Sequence, residues 1–208
     1  LVGKVTRNIG NLDEKTFLLV DNETTSEIPN TNFLGILTTQ QEYQLKNGEK
    51  VVFKIPTLQH LEDGDLVSVG NDGNINTLYR INSNHNTLLA TERCNSNCLM
   101  CSQPPRDRND IPLLYKIHKE LIPLIPKDCI ELGVSGGEPT LMGELFFALM
   151  EQLKEQLPNT EIHVLTNGRS FAWNHMAEKL GQIDNRRLML GIPVYSDYYQ
   201  IHDYIVQA

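Results

Sequence analysis

The apolar positions of this 208-residue chain change their period part-way along it. Up to about residue 86 they come in short runs, Phe17-Leu18-Leu19-Val20, Val51-Val52-Phe53-Lys54-Ile55 and Leu66-Val67-Ser68-Val69. Around them lie turn-forming segments, Lys46-Asn47-Gly48-Glu49, Glu62-Asp63-Gly64-Asp65 and Asn71-Asp72-Gly73-Asn74. Asn-Gly and Asp-Gly pairs tolerate positive φ and favour tight hairpins. Residues 1–86 are therefore expected to form a small all-β domain, read as a docking module without chemistry of its own.

From residue 87 to residue 208 the pattern alternates strand with helix. Residues 86–91 read as a strand, and the segment 111–122 then places Leu113, Leu114, Ile117, Leu121 and Ile122 on one helical stripe. Asp110 stands as its expected N-cap, and Pro123 and Pro126 follow it. Further strands are expected at 129–134, 161–165 and 187–194, and helices at 142–157, 171–180 and from residue 199. The second helix has Leu145, Phe146, Leu149, Leu153 and Leu157 on its buried side. Such alternation predicts βαβ crossovers, a parallel sheet, and functional residues in the loops after the strands. Four polar clusters occupy those loops: the segment around Cys94, then Gly136-Gly137-Glu138-Pro139, then Thr166-Asn167-Gly168, and last Tyr195-Ser196-Asp197. All four are expected on one rim of the sheet.

Composition narrows the class. A chain 40% hydrophobic and 21% charged is globular, and 18 basic against 26 acidic residues leaves no basic face for direct binding of nucleic acid. No apolar run reaches the roughly 18 residues of a membrane span, and residue 1 onward lacks the order of a signal peptide, so no membrane and a cytoplasmic location are expected. The chain starts at Leu1 and stops at Ala208 within an expected helix, and it is expected to be a fragment that ends part-way through a barrel.

Three of the four cysteines, Cys94, Cys98 and Cys101, fall within eight positions. Thiols so placed cannot all pair with one another, which disfavours a disulfide framework and leaves metal or cluster ligation. Their spacing is C-x3-C-x2-C. Thiolates are soft ligands for iron–sulfur clusters or zinc, and a four-iron cube with three protein thiolates keeps one iron open. Ser135-Gly136-Gly137-Glu138-Pro139 adds a backbone free of side chains and a carboxylate able to receive an ammonium group. Together they describe a pocket for an amino acid chelated to a cluster.

These residues resemble the radical S-adenosylmethionine (radical SAM) superfamily, whose hallmark is C-x3-C-x2-C followed by Gly-Gly-Glu-Pro at the second strand. Residues 89–105, with Tyr195-Ser196-Asp197 and residues 202–208, are similar to the maturases of the His-Xaa-Ser peptide system. The resemblance implies an α/β fold, a partial (β/α)6 TIM-like barrel with about four β/α units present, following the small all-β domain. It implies that Cys94, Cys98 and Cys101 hold a [4Fe-4S] cluster whose open iron takes the amino and carboxylate groups of S-adenosyl-L-methionine. Gly136, Gly137, Glu138 and Pro139 would hold the methionyl ammonium, Glu138 through its carboxylate. Met100 would meet the adenine through its backbone, and Thr166, Asn167 and Ser196 would border ribose or substrate. The implied activity is formation of a 5′-deoxyadenosyl radical that abstracts hydrogen from a ribosomally made peptide, and the fragment alone is expected to turn over slowly or not at all. The implied partners are that peptide substrate, a paired maturase and an electron donor.

Other readings stay open at this point. One is a cluster-binding protein without catalysis or a truncated pseudoenzyme of the same fold. Another is structural zinc with His85 or His118 as fourth ligand, although zinc gives no reason for the Gly-Gly-Glu-Pro segment. Cys129 reads as a core thiol. His118, His163 and His175 read as structural or exposed, His202-Asp203 as a helix cap, and Arg106-Asp107-Arg108 as a solvated run.

Overall fold

The computed structural model describes residues 1–21, 32–42 and 50–208, so the turn expected at Lys46-Asn47-Gly48-Glu49 lies outside the described residues. The chain divides into two compact units, Leu1–Ser83 and Asn84–Ala208. Among the described residues no helix is long and apolar enough to cross a membrane.

The first unit holds strands β1 (Val2–Thr6), β2 (Thr16–Val20), β3 (Gly35–Thr38), β4 (Val51–Val52), β5 (Leu66–Val69) and β6 (Ile75–Tyr79), in one sheet of order β4-β3-β2-β1-β5-β6. The segment Asn71-Asp72-Gly73-Asn74 makes the expected hairpin: it joins the antiparallel pair β5 and β6, with Gly73 at φ +81°. Glu62-Asp63-Gly64-Asp65 does not. Strand β5 pairs antiparallel with the distant β1, and the buried Asp65 carboxylate accepts from the backbone N–H of Glu62 and of Ile81. The pairs β1–β2, β2–β3 and β3–β4 are parallel, and parallel partners need no tight turn that a sequence would display. The expected strand at 51–55 stops after Val52, and Lys54 has φ +60°. All five residues of β2 are buried, Phe17 and Leu19 in one apolar cluster and Leu18 and Val20 in another. Burial on both faces explains why this strand reads as a continuous apolar run rather than an alternation.

The second unit alternates β7 (Asn86–Leu89), α1 (Ile111–Leu121), β8 (Glu131–Ser135), α2 (Glu144–Gln156), β9 (Glu161–Leu165), α3 (Asn174–Ile183), β10 (Leu188–Gly191) and α4 (Tyr199–Val206). Its four strands form a parallel sheet of order β10-β9-β8-β7, an α/β half-barrel. Alternate strand residues, Leu88, Leu132, Val134, Ile162 and Val164, make one buried face. Phe146, Phe147, Leu149, Met150 and Leu153 of α2 add the helical side of the core, with the two phenyl rings edge to face at 5.4 Å. Each such side chain contributes about 1.5–3 kcal/mol by leaving water. Parallel strands with one face sealed by helices leave the loops at their C-terminal ends as the place for a site.

Several local expectations change. On α1 the buried positions are His118 and Leu121, whereas Leu113 is 61% exposed, so the apolar stripe is narrower than its pattern suggests. Asp110 makes no cap bond and serves the site instead. The helix expected at 171–180 begins later. A 3₁₀ turn, Arg169–Ala172, and an extended Trp173 precede α3. Cys129 is a buried thiol as read, donating to the Glu131 carbonyl at 3.4 Å, but it precedes β8, and its neighbour Ile130 is exposed.

Candidate active site

The site is built where the extension of β7 meets the turn after β8. Ala90 N–H still donates to the Ser135 carbonyl at 2.7 Å, and Gly137 and Glu138 then donate to the carbonyls of Thr91 and Arg93, each at 2.7 Å. This approach demands the two glycines. A Cβ on Gly136, at φ +142°, would lie 2.3 Å from the Thr91 carbonyl oxygen, and one on Gly137 would lie 2.0 Å from that of Arg93. The side-chain-free backbone expected to make room for a ligand thus first makes room for the strand that leads to Cys94. Thr91 and Glu92 are held from the other side by Asp110, whose carboxylate accepts from Thr91 Oγ1 at 2.6 Å and Glu92 N–H at 2.7 Å.

Beyond Arg93 the chain forms the cysteine loop. Cys94, Cys98 and Cys101 line one cavity of about 500 Å³ with Ser96, Gln103, Ser135, Gly136, Gly137, Leu165, Thr166, Asn167, Gly191, Ile192 and Pro193. Asn167 donates from its amide to Asn95 Oδ1 at 2.7 Å, and Arg169 donates to the Asn95 carbonyl at 2.6 Å, so the loop after β9 grips the cysteine loop. On its far side Asn97 and Leu99 donate to the carbonyls of Val206 and Ile205 at the end of α4. Burial raises the pKa of the Cys94 thiol, opposed by the Ser96 N–H and reinforced by the nearby charges of Glu138 and Cys98. A metal arriving at Cys94 must therefore displace a firmly held proton.

The expected residues divide. The three cysteines, Gly136, Gly137, Thr166 and Asn167 come together on the cavity wall. Glu138 does not face it. Its carboxylate is 0% exposed and accepts four internal hydrogen bonds, from Thr140 N–H, Thr140 Oγ1, Thr166 Oγ1 and Asn167 N–H. Pro139 is buried as the first residue of a 3₁₀ turn, Pro139–Met142, that Glu138 caps. Met100 is exposed and off the wall. Ser196 is also off the wall; its hydroxyl accepts from Tyr198 N–H at 3.0 Å, and Gly191 at the end of β10, with Ile192 and Pro193 just after it, lines the wall in its place. The loops after β7, β8 and β9 thus carry their polar clusters to the rim, and the fourth, Tyr195-Ser196-Asp197, stays outside the cavity. Arg106 and Arg108 are exposed as read but pair with Glu92 at 3.4 and 2.8 Å, and Arg93 pairs with Asp107. His202 caps nothing by its side chain; its ring stacks on Tyr195 and its Nδ1 accepts from Tyr195 N–H at 3.3 Å.

Sequence reasoning missed Asn95, Ser96, Asp110, Thr140 and Arg169 as parts of this assembly. For all but Asp110, which stands before α1, the one legible signal is position next to a cysteine or a strand-end motif. The donor chemistry fits an iron–sulfur group. Three thiols lie around one cavity, yet among the described residues no group of three His, Cys, Asp or Glu side chains converges to hold a single metal ion. Neither His85 nor His118, the fourth ligands considered for zinc, is among the residues lining the cavity.

No curated protein matches the chain. The family profile described as the radical SAM superfamily matches residues 88–207, more than half of the chain and the run from within β7 to the end of α4. With its parallel strands, its C-x3-C-x2-C loop and its glycine turn in that same stretch, the chain belongs to the radical SAM superfamily.

Proposed function

We propose that this chain is a radical SAM enzyme in which Cys94, Cys98 and Cys101 hold a [4Fe-4S] cluster, and the adjoining wall binds S-adenosyl-L-methionine. The observation that carries the reading is the convergence of three cysteines with Gly136, Gly137, Thr166 and Asn167 on one cavity at the strand ends. When bound, the two groups supply the electron and the 5′-deoxyadenosyl radical for hydrogen abstraction, chemistry that belongs to the cofactors. The protein's own part is positioning. Asn167 and Arg169 hold the cysteine loop against the loop after β9, Asp110 holds its root, and Leu165, Ile192 and Pro193 supply the apolar part of the wall.

The substrate we propose is a ribosomally made peptide of the His-Xaa-Ser type, with a paired maturase and an electron donor as partners. Its support is the resemblance of residues 89–105 and 202–208 to the maturases of that system. The unit Leu1–Ser83 is then available as a small β-rich module for docking the peptide or the paired maturase.

Anaerobic reconstitution with iron and sulfide is expected to load about four irons per chain and to give broad thiolate-to-iron absorbance. Cys98→Ala is expected to lose most of both. Full retention of iron and sulfide by Cys98→Ala overturns the ligand assignment, and stoichiometric zinc in the purified protein overturns the cluster. Reduction in the presence of S-adenosylmethionine tests catalysis: methionine and 5′-deoxyadenosine among the products support the enzyme reading, and a loaded chain that yields neither supports the reading as a cluster-binding protein.

A further inference from the structure

Next to the cysteine cavity, the same side of the sheet carries a second group of polar side chains. Leu88, Leu132, Val134, Ile162 and Val164 make the buried face, so alternation turns Thr87, Gly133 and His163 to the other side, where Ser135 and Leu165 line the cavity. The register sets Gly133 beside Thr87 on β7 and beside His163 on β9. Along β8 its neighbours on that face are Glu131 and Ser135, two residues before and after it. Neighbouring strands stand about 4.8 Å apart and two residues of a strand span about 6.6 Å. Gly133 is thus the floor of a small ring of four polar side chains. A Cβ on it would lie 2.7 Å from Thr87 Oγ1, so its bare backbone lets the Thr87 hydroxyl lean across the floor.

The ring has a definite chemical character. His163 Nδ1 stands 3.3 Å from Glu131 Oε1. A carboxylate so close favours a proton on Nδ1, and the neutral imidazole then offers Nε2 as an acceptor. Glu161, opposite Glu131 in the register, is paired with Arg187 at 2.5 Å, which leaves Glu131 as the charge of the ring. Among the described residues, the hydroxyls of Thr87 and Ser135 and Nε2 of His163 have no hydrogen-bond partner. An acceptor nitrogen, two hydroxyls and a negative charge suit a neutral or cationic N–H or O–H donor and disfavour a carboxylate. Ser135 belongs both to the ring and to the cavity wall, so a group held in the ring adjoins the cysteine cavity.

We propose that Thr87, Glu131, Ser135 and His163 form a substrate subsite that holds one donor-bearing side chain of the peptide, with His163 Nε2 as its acceptor. The proposal deepens the peptide reading above and rests on it. His163 reads from the sequence as structural or exposed, because a lone histidine in a strand gives no sign of the glycine beside it on the next strand.

The test uses two labelled synthetic peptides, one of His-Gly-Ser repeats and one in which every His and Ser is Ala. Their binding to the reconstituted full chain is followed anaerobically by fluorescence anisotropy in the presence of S-adenosylmethionine, which is itself titrated separately by equilibrium dialysis. The wild type is expected to prefer the first peptide. His163→Leu is expected to weaken that peptide about 5- to 100-fold, the range for leaving one hydrogen-bonding group unpaired, and to leave the alanine peptide and S-adenosylmethionine unchanged. His163→Gln, which keeps an acceptor, is expected to retain most of the affinity. Thr87→Val, which keeps the shape and removes the hydroxyl, is expected to show a smaller loss confined to the first peptide. A loss in His163→Leu shared equally by both peptides, or by S-adenosylmethionine, overturns the subsite by showing a structural role. Wild-type affinity of His163→Leu for the first peptide overturns it as well. If His163→Leu fails to fold by circular dichroism, Thr87→Val decides by the same criteria. A wild type that binds S-adenosylmethionine but neither peptide overturns the peptide reading, and this inference with it; that failure appears before any variant is compared.

Discussion

Gly137 shows how little freedom a motif residue can have. It neither needs positive φ nor ends a helix; it is required because the Arg93 carbonyl would be 2.0 Å from any Cβ placed there. Since that obstacle is backbone, relief means moving the cysteine loop away from the turn after β8. Gly137→Ala is expected to cost about 1–3 kcal/mol in urea unfolding, the range for overpacking a filled site, and to lower iron retention in the same preparation. A variant as stable as wild type with full iron shows that the two segments can separate without consequence. Asp110 teaches the complementary lesson. It stands where a cap belongs, yet its carboxylate serves Thr91 and Glu92 across the loop, a use no local pattern reveals.

At the scale of elements, α1 carries a histidine on its buried stripe. His118 is 3% exposed, its Nδ1 has no hydrogen-bond partner, and burial lowers its pKa from 6.5 to about 4. The folded state thus resists a proton that the unfolded chain accepts. Stability is unaffected above about pH 6.5, falls as pH drops from there to about 4, and is then lower by about 3 kcal/mol, at 1.36 kcal/mol per pKa unit. His118→Leu is expected to remove that part of the acid limb while matching or exceeding wild-type stability at pH 7.5. Urea midpoints of both proteins between pH 4 and pH 7.5 check this, and parallel acid limbs would show that His118 contributes nothing to them. The helix pattern alone had Leu113 on that stripe, and amphipathic spacing cannot say which of two adjacent arcs faces the core.

At the scale of the whole molecule, every residue on the cavity wall belongs to the unit Asn84–Ala208. The fragment 84–208 is therefore expected to take up the same iron and sulfide per chain as residues 1–208 under identical reconstitution. Iron content and absorbance of the two preparations check this, and loss of most of the iron on removing the first unit would place part of the site outside it.

Much of the second unit is legible from its amino acids, because strands β7, β8 and β9 and helix α2 are long enough for their burial to leave a clear period. The first unit is less so. Its parallel pairs β1–β2, β2–β3 and β3–β4 join segments by hydrogen bonds that depend on no local turn. The sequence by itself determined the order of strands and helices in the second unit, the clustering of the three thiols of Cys94, Cys98 and Cys101, and the loops in which polar residues gather. These are local properties, set by side-chain type and spacing. Only the tertiary structure decided that Glu138 turns inward, that Met100 and Ser196 stay off the wall, and that Asp110 and Arg169 serve the site. Those outcomes depend on which donors and carbonyls meet when distant loops close on one another, and spacing along a chain carries no record of that encounter.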